Sequence, residues 1–338
     1  MPTLDSARQL IALWNAYQAD EEPSRGAAPW WKLFDQLLKL RVWGPEDRFP
    51  LGARKTIERR LEGRADDEDI RIEFEIWPSA NQNDRRTWRA ETEAKIGELG
   101  GTIVARSSIS GKGFVYEALL ARLPMRAIRE LLGDPNNPNG LGWVRGVQFI
   151  LPQTIAQAVP DEAEDSDDDL PERQAFSADA PILGALFDGT PVAAHPALDG
   201  GVVIEDVHDI VRRSEVRQSI HATSMASLIL RVDLVSDGAA LANTRLMCVP
   251  IVVDTDDGGR SPDDKLFVDV LHIALTRLFI GRDAVAPSVF VVNLSIGITE
   301  MRFGDRISAL ARLLDWWSHE HGVLFVISAG NVTTCPVS

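Results

Sequence analysis

Apolar residues recur along the chain with two different periods, and each change of period marks a change of predicted structure. In residues 1–66 the apolar positions follow a helical spacing, as at Trp31 and Phe34, which predicts a helical N-terminal segment. Further on, Ile72 and Phe74 alternate with charged residues, which predicts a strand with one buried face. The chain therefore begins with helices and continues into a region that contains a sheet.

Residues 69–152 combine both periods. After the first alternating strand, the pattern predicts a helix from Trp88 to Leu99, two further strands, a short helix from Met125 and a last strand around Phe149. The resulting order is β-α-β-β-α-β, which is the order of ferredoxin-like α+β domains. Because many functions use this fold, the order alone does not identify one.

From residue 181 onward, predicted strands and helices alternate one by one, which is typical of a parallel sheet flanked by helices. We therefore predict an α/β domain over residues 181–338. Active groups of such sheets lie at the carboxyl ends of the strands. Polar motifs follow three predicted strands, and they contain Asp188, Ser295 and Asn331.

The tryptophans are concentrated in the first part of the chain, where seven of the nine lie within residues 1–143. Large aromatic side chains bury much apolar surface, so we expect these residues to belong to the core. A docking face for another protein is the alternative.

Residues 153–180 are predicted to form a linker, because they contain a large excess of acidic over basic residues. Within them, residues 161–173 hold eight acidic residues and one arginine, so this stretch contributes -7 to the chain's net charge of -15. Such a block repels itself and cannot form a core. It is expected to be a solvated hinge, and the alternative is an exposed tether that is cleaved or binds a partner.

The overall charge excludes some classes of partner. With 35 basic against 50 acidic residues, we expect neither sequence-independent binding to nucleic acid nor docking on an anionic membrane. Two cysteines are too few for a disulfide framework. The N-terminus lacks a secretory pattern, and no apolar run approaches the ~20 residues of a membrane span. These features favour a soluble, cytoplasmic protein.

Three residues could carry chemistry. Asp188 ends a predicted buried strand, and an acid there can orient a histidine. His221 opens the predicted helix HATSMASLIL, and Asn331 follows the apolar strand VLFVIS, where an amide can donate to an oxyanion. Taken singly, each has a structural alternative: a turn-capping acid, a structural histidine and an ordinary turn.

Together, the segments ILGALFDGT, HATSMAS, VVNLSIG and VLFVISAGN resemble, in this order, the subtilisin-like serine proteases. The resemblance implies that Asp188 orients His221, which acts as general base and then as general acid, and that Asn331 donates to the oxyanion. It also implies a substrate-binding strand formed by Ser295, Ile296 and Gly297. The substrate would be a protein or peptide, and neither a cofactor nor a metal is implied.

The same resemblance implies that the ferredoxin-like part is an intramolecular propeptide-like domain, whose C-terminal tail blocks the cleft. Residues 1–66 lie outside the resemblance. In this family the nucleophilic serine follows the oxyanion asparagine by several tens of residues, so we expect no nucleophile within the chain and an incomplete protease domain. The alternative is a catalytically inactive fragment or a protein-binding module.

Two further interpretations involve residues in the same region. ATSMAS resembles the family's nucleophile motif, which would make Ser224 the nucleophile with His195 or His208 as its base, but the order of the segments argues against this.

A cluster of acids could bind calcium, although its spacing differs from an EF-hand and a solvated loop is the favoured interpretation. That cluster comprises Asp254, Asp256, Asp257, Asp263 and Asp264.

Overall fold

A computed structural model describes residues 4–38, 40, 43–137, 139–158, 176–215, 219–231, 244–255, 258–298 and 306–328. Three sequence predictions fall outside these residues: the acidic stretch 161–173, Asn331, and the two acids Asp256 and Asp257.

The helices of the described part are α1 (Leu4–Gln18), α2 (Ala28–Phe34), α3 (Ala53–Leu61), α4 (Gln82–Glu98), α5 (Met125–Gly133), α6 (Ile220–Arg231), α7 (Phe267–Phe279) and α8 (Ala309–His321). Its strands are β1 (Asp69–Ile76), β2 (Thr102–Gly111), β3 (Phe114–Pro124), β4 (Val147–Pro152), β5 (Gln157–Ala158), β6 (Ile182–Asp188), β7 (Val202–Ile204), β8 (Arg245–Pro250), β9 (Val253–Thr255), β10 (Gly258–Arg260), β11 (Val291–Leu294) and β12 (Leu324–Ile327). Short 3-10 turns cover Pro45–Arg48 and Leu141–Trp143.

Strands β1 to β4 form an antiparallel sheet in the order β2-β3-β1-β4. With α4 after β1 and α5 after β3, the predicted β-α-β-β-α-β succession is present. Helix α4 begins six residues before Trp88, because the side chain of Asn81 caps it by accepting a hydrogen bond from the Asn83 backbone. Both faces of this sheet are covered by other elements.

The second sheet has five parallel strands in the order β12-β11-β6-β8-β7. The predicted parallel α/β architecture is therefore confirmed at this level. Strand β6 lies in the middle, and the chain leaves it toward one edge before returning to form β11 and β12 on the other side. The carboxyl end of β6 is thus next to the point where the strand order reverses, which is where open α/β sheets bind ligands.

A small third sheet, β5-β10-β9, connects the two larger ones. Strand β5 comes directly from the end of β4, while β9 and β10 follow β8. The backbone running out of the antiparallel sheet is thereby fixed to the part of the chain that carries the parallel sheet. This places β5 close to the carboxyl edge of that sheet.

One continuous core joins the antiparallel sheet to helices α7 and α8. Side chains of β3 such as Tyr116, Ala118 and Leu120 belong to the same buried cluster as Phe267 of α7 and Trp317 of α8. The opposite face of the antiparallel sheet packs on α3, α4 and α5 in a separate cluster. Because apolar burial is the main favourable term in folding, the first cluster stabilises the contact between the two parts of the chain.

The N-terminal segment is helical, as predicted, but two details differ. The helical spacing of apolar residues continues past Phe34 to Leu37 and Leu38, but helix α2 ends at Phe34. Of the seven tryptophans within residues 1–143, only Trp14 is buried, where it packs edge-on against Phe34. The expectation that these aromatic residues are core was wrong for Trp30, Trp43 and Trp143, which are exposed, whereas Trp88 is partly buried against the core of the antiparallel sheet. Short helices offer little interior, so large rings remain partly exposed.

No helix in the described part of the chain is long and apolar enough to cross a membrane.

Candidate active site

Asp188 lies at the carboxyl end of β6 with its side chain buried. Its Oδ1 accepts a hydrogen bond from the backbone N–H of Gly189 at 2.7 Å. Its own carbonyl oxygen accepts the N–H of Ile251, which follows β8, at 2.8 Å. These bonds fix the carboxylate at the edge of the parallel sheet, as the sequence predicted.

His221 is the second residue of α6, and its side chain is 18% exposed. Its Nδ1 lies 3.1 Å from Oδ1 and 2.9 Å from Oδ2 of Asp188, although 33 residues separate the two in sequence. Helix packing brings them together: Ala226 and Leu230 are fully buried in the cluster that also holds Leu186 of β6. The small residues of HATSMAS allow the helix to lie close to the sheet.

This geometry determines which nitrogen of the imidazole can react. A carboxylate at Nδ1 favours the tautomer in which Nδ1 carries the proton, and that leaves Nε2 to accept one. The buried acid also stabilises the imidazolium that forms when Nε2 takes up a proton. The pair is therefore arranged as a general base with its orienting carboxylate, so two sequence-predicted site residues lie together.

A segment of the chain's own backbone, β5, is held at the carboxyl edge of the parallel sheet. Gln157 of β5 forms an antiparallel bridge with Gly297: its N–H donates to the Gly297 carbonyl at 2.9 Å, and its carbonyl accepts the Gly297 N–H at 2.8 Å. On its other side, β5 pairs with Gly259 and Arg260 of β10. The segment is held as a strand between two others, which is how extended peptides are bound by strand addition.

The residues that precede this bridge are bound in the same way. Ala156 exchanges two hydrogen bonds with Ser261, since its N–H donates to Oγ at 3.0 Å and its carbonyl accepts the Ser261 N–H at 2.9 Å. Ala156 and Ala158 are both buried. A side chain at Gly259 would place its Cβ 3.0 Å from the Cβ of Ala158, so glycine there lets the two strands approach.

The predicted substrate-binding residues lie at the same edge of the sheet. Gly297 makes the strand bridge, while Ser295 and Ile296 are buried beside it. The Ser295 hydroxyl hydrogen-bonds to the side-chain oxygen of Asn293. The role of Asn331 as an oxyanion donor stays a prediction, because that residue lies outside the described part of the chain.

Sequence reasoning missed Asp254 as a neighbour of the Asp188–His221 pair. This buried side chain on β9 accepts the N–H of Thr190 at 3.1 Å through Oδ2. Burial raises the pKa of Asp254 to about 6, and the Asp188 charge adds to the rise. A Cβ at Gly189 would lie 2.4 Å from Oδ1 of Asp254. The glycine directly after Asp188 was the available signal, because it indicates a close neighbour.

Other candidate residues are placed elsewhere. Ser224 is exposed on α6, and among the described residues no hydrogen bond links it to His195 or His208. The His208 Nε2 lies 2.9 Å from the carbonyl oxygen of Val270, and burial lowers its pKa. His195 instead accepts the N–H of Ala197 at 3.2 Å. The arrangement of Ser224 as a nucleophile with either base is thus not formed.

The acidic residues considered for calcium point to separate partners. Asp263 pairs with Arg71 at 2.7 Å, and Asp264 lies 4.0 Å from Arg213. Within the described ranges, no group of three or more His, Cys, Asp or Glu side chains could hold a metal ion.

Neither a protein-family model nor a curated protein matches the chain. What the chain does must therefore be inferred from the Asp188–His221 pair, the strand β5 at the same edge of the sheet and the order of the motifs.

Proposed function

We propose that this chain belongs to a serine endopeptidase of the subtilisin-like type, in an inhibited state. The observation that carries the proposal is the Asp188–His221 hydrogen bond at the carboxyl edge of a parallel sheet. At the same edge, Gly297, which follows β11, binds the strand β5. The motif order Asp, His, Ser-x-Gly and Asn adds independent support.

In this mechanism, Nε2 of His221 removes the proton of a serine hydroxyl, which attacks the peptide carbonyl. His221 then returns the proton to the leaving amine, and Asp188 stabilises the imidazolium between these steps. Asn331 donates to the oxyanion, an interaction that lowers the activation barrier for kcat by roughly 3–4 kcal/mol. The serine comes from outside the residues described here.

The ferredoxin-like unit that contains β1 to β4 acts in this proposal as an intramolecular inhibitor. Its outgoing strand β5 takes the place of an extended substrate, since it uses the backbone groups of Gly297 and Gly259 that a substrate would use. The shared core with α7 and α8 holds the unit in position. Activation then requires this strand to leave the cleft.

The test uses the full-length protein, a quenched fluorescent peptide library and a fluorophosphonate probe that labels activated serines. Asp188→Asn should lower kcat about 10⁴-fold, since the imidazole then adopts the wrong tautomer. His221→Ala should abolish labelling. His319→Ala is the matched control, because that side chain is 86% exposed on α8, and it should leave both signals unchanged. Mass spectrometry of the labelled peptide identifies the nucleophile.

If the full-length protein neither cleaves peptides nor reacts with the probe after limited proteolysis has cut the chain between β5 and β6, so that β5 can leave, the peptidase proposal is wrong. A peptide-binding module without catalysis is the second candidate. It is favoured by the pairing of β5 with β10 and Gly297, because strand addition needs no nucleophile.

A further inference from the structure

A groove of about 910 Å³ runs beside strand β5, between the antiparallel sheet and the β9–β10 hairpin. Its floor includes Gln153, Ile155 and Gln157, which follow the two-residue period of a strand. The groove is distinct from the Asp188–His221 pair, which does not line it. No step of the proposed mechanism uses it.

The lining of this groove is strongly basic, although the whole chain carries a net charge of -15. Two aspartates, Asp69 and Asp263, are outnumbered there by six arginines: Arg60, Arg64, Arg71, Arg122, Arg213 and Arg260. These arginines come from both the antiparallel sheet region and the part of the chain that carries the parallel sheet. A positive groove in an acidic protein focuses the local potential on an anionic ligand.

Arg64 and Arg122 have weak acidic partners, whereas Arg71 pairs with Asp263 at 2.7 Å and Arg60 donates to the Gln153 carbonyl at 3.0 Å. Arg64 pairs with Glu68 at 3.0 Å, with side chains 48% and 43% exposed, and such surface pairs contribute only about 0–1 kcal/mol each. Arg122 lies 4.0 Å from Asp69, at the limit of an ion pair. Arg260 is exposed, and among the described residues no carboxylate lies within 4.0 Å of it. The guanidinium groups of Arg64, Arg122 and Arg260 are therefore available to a ligand.

We propose that this arginine groove binds an acidic peptide. Guanidinium groups present a planar fork of donors that matches carboxylates. Because the six guanidinium groups are spread over several elements, they can pair with a series of carboxylates more readily than with one small anion. The groove lies along an existing strand, and an extended chain fits that shape.

The chain itself carries a peptide of this chemistry. Residues 161–169 contain seven acids in nine positions, and they begin three residues after Ala158, next to the groove-lining Gln157. Tethering gives such a segment an effective concentration on the order of millimolar. A separate acidic chain would instead meet the repulsion of the whole protein. We therefore assign the groove to the chain's own acidic stretch, and this assignment does not depend on the peptidase proposal.

The experiment measures fluorescence anisotropy of a labelled peptide with the sequence of residues 161–173. It uses the full chain and a linker-neutral variant, in which every Asp of 161–169 is replaced by Asn and every Glu by Gln. The linker-neutral variant should bind the peptide about tenfold more tightly than the full chain, because its own stretch no longer competes. Added salt should weaken this binding.

In the linker-neutral background, replacing Arg64, Arg122 and Arg260 by Gln should weaken binding about tenfold, from three contacts of modest strength. Arg260→Gln alone should weaken it about twofold, and circular dichroism checks that each variant is folded. The matched control replaces Arg86 and Arg282, which are exposed and outside the groove lining, and it should bind like its parent.

The proposal is overturned if the linker-neutral variant does not bind the acidic peptide, or binds its Asn/Gln counterpart equally well. Tighter binding of a single-stranded oligonucleotide than of the peptide would also overturn it. Equal affinity of the full chain and the linker-neutral variant would overturn the assignment to the chain's own stretch.

Discussion

Glu73 is a carboxyl group held almost entirely away from water, on the face of the antiparallel sheet that meets α7 and α8. Burial raises its pKa to about 7, while hydrogen bonds from the backbone N–H and hydroxyl of Thr154 act in the opposite direction. The charges of Glu75 and Arg60 also reach it, the first raising and the second lowering its pKa. A single residue therefore makes the stability of this contact depend on pH.

We predict that the contribution of Glu73 to the free energy of unfolding falls as the pH rises from about 4.5 to about 7. A group whose folded-state pKa is raised favours folding below its unfolded value of 4.5, and this contribution is lost as the pH passes the folded value. Glu73→Gln keeps an acceptor for Thr154 but cannot ionise. The stability of the Glu73→Gln variant, relative to that of the unaltered chain, should therefore increase as the pH rises.

The measurement is urea denaturation of both proteins across this pH window. Glu91→Gln removes a carboxyl group from the exposed face of α4 and is the control. If the free energies of unfolding of Glu73→Gln and of the unaltered chain change in parallel with pH, Glu73 ionises in the folded protein without a cost in stability.

At the scale of elements, the β2–β3 hairpin contacts helix α8 through its turn. Phe114 stacks on the Trp316 ring with centroids 5.6 Å apart, and the Trp316 Nε1–H donates to the Lys112 carbonyl at 3.2 Å. A Cβ at Gly111 would lie 2.4 Å from the Trp316 ring. The absence of a side chain at Gly111 therefore allows the hairpin and the helix to pack together.

We predict that Gly111→Ala destabilises the protein by about 1–3 kcal/mol, because overpacking forces the hairpin away from α8. Gly97→Ala is the matched comparison. Gly97 lies within α4, where an added Cβ would meet no atom within 4 Å, so this change should stabilise the protein by about 0.5–1 kcal/mol through helix propensity. Thermal unfolding should show a lower melting temperature for Gly111→Ala and a higher one for Gly97→Ala. Equal changes in melting temperature would contradict the packing argument.

At the scale of the whole molecule, a buried ion pair joins the antiparallel sheet to helix α8. Glu75 of β1 is buried and hydrogen-bonds to Arg312 of α8, while Arg306 lies 3.3 Å from its other oxygen. More than 230 residues separate the two sides of this contact. Such a pair fixes the relative position of elements that a purely apolar contact would allow to slide.

We predict that Glu75→Gln lowers the free energy of unfolding by about 1.5–3 kcal/mol, since the variant loses charge-assisted hydrogen bonds and leaves two partly buried cations without their counter-charge. A double-mutant cycle with Arg312→Gln should give a coupling of about 0.5–3 kcal/mol. Glu98→Gln, which removes an exposed pair with Lys95, should change stability by less than about 0.5 kcal/mol. A coupling energy of zero would show that the pair contributes no stability.

The sequence by itself determined the local elements and the motif residues. Alternation at Ile72 and Phe74 predicted β1, and the apolar runs predicted the parallel strands, because each depends on neighbours within a few residues. The order of motifs also indicated Asp188 and His221 as partners. Local pattern failed where burial depends on distant residues: Trp30 and Trp143 are exposed, although their size suggested core.

Only the tertiary structure decided what surrounds the Asp188–His221 pair. The bridge between Gln157 and Gly297 and the carboxylate of Asp254 near Asp188 join residues far apart in the chain. The arginine groove likewise brings together cations from segments that are far apart in the sequence, such as Arg64, Arg122 and Arg260. Packing free energy, summed over the whole core, sets these distances. No local propensity encodes them, and this is why the sequence predicted the pair but not its surroundings.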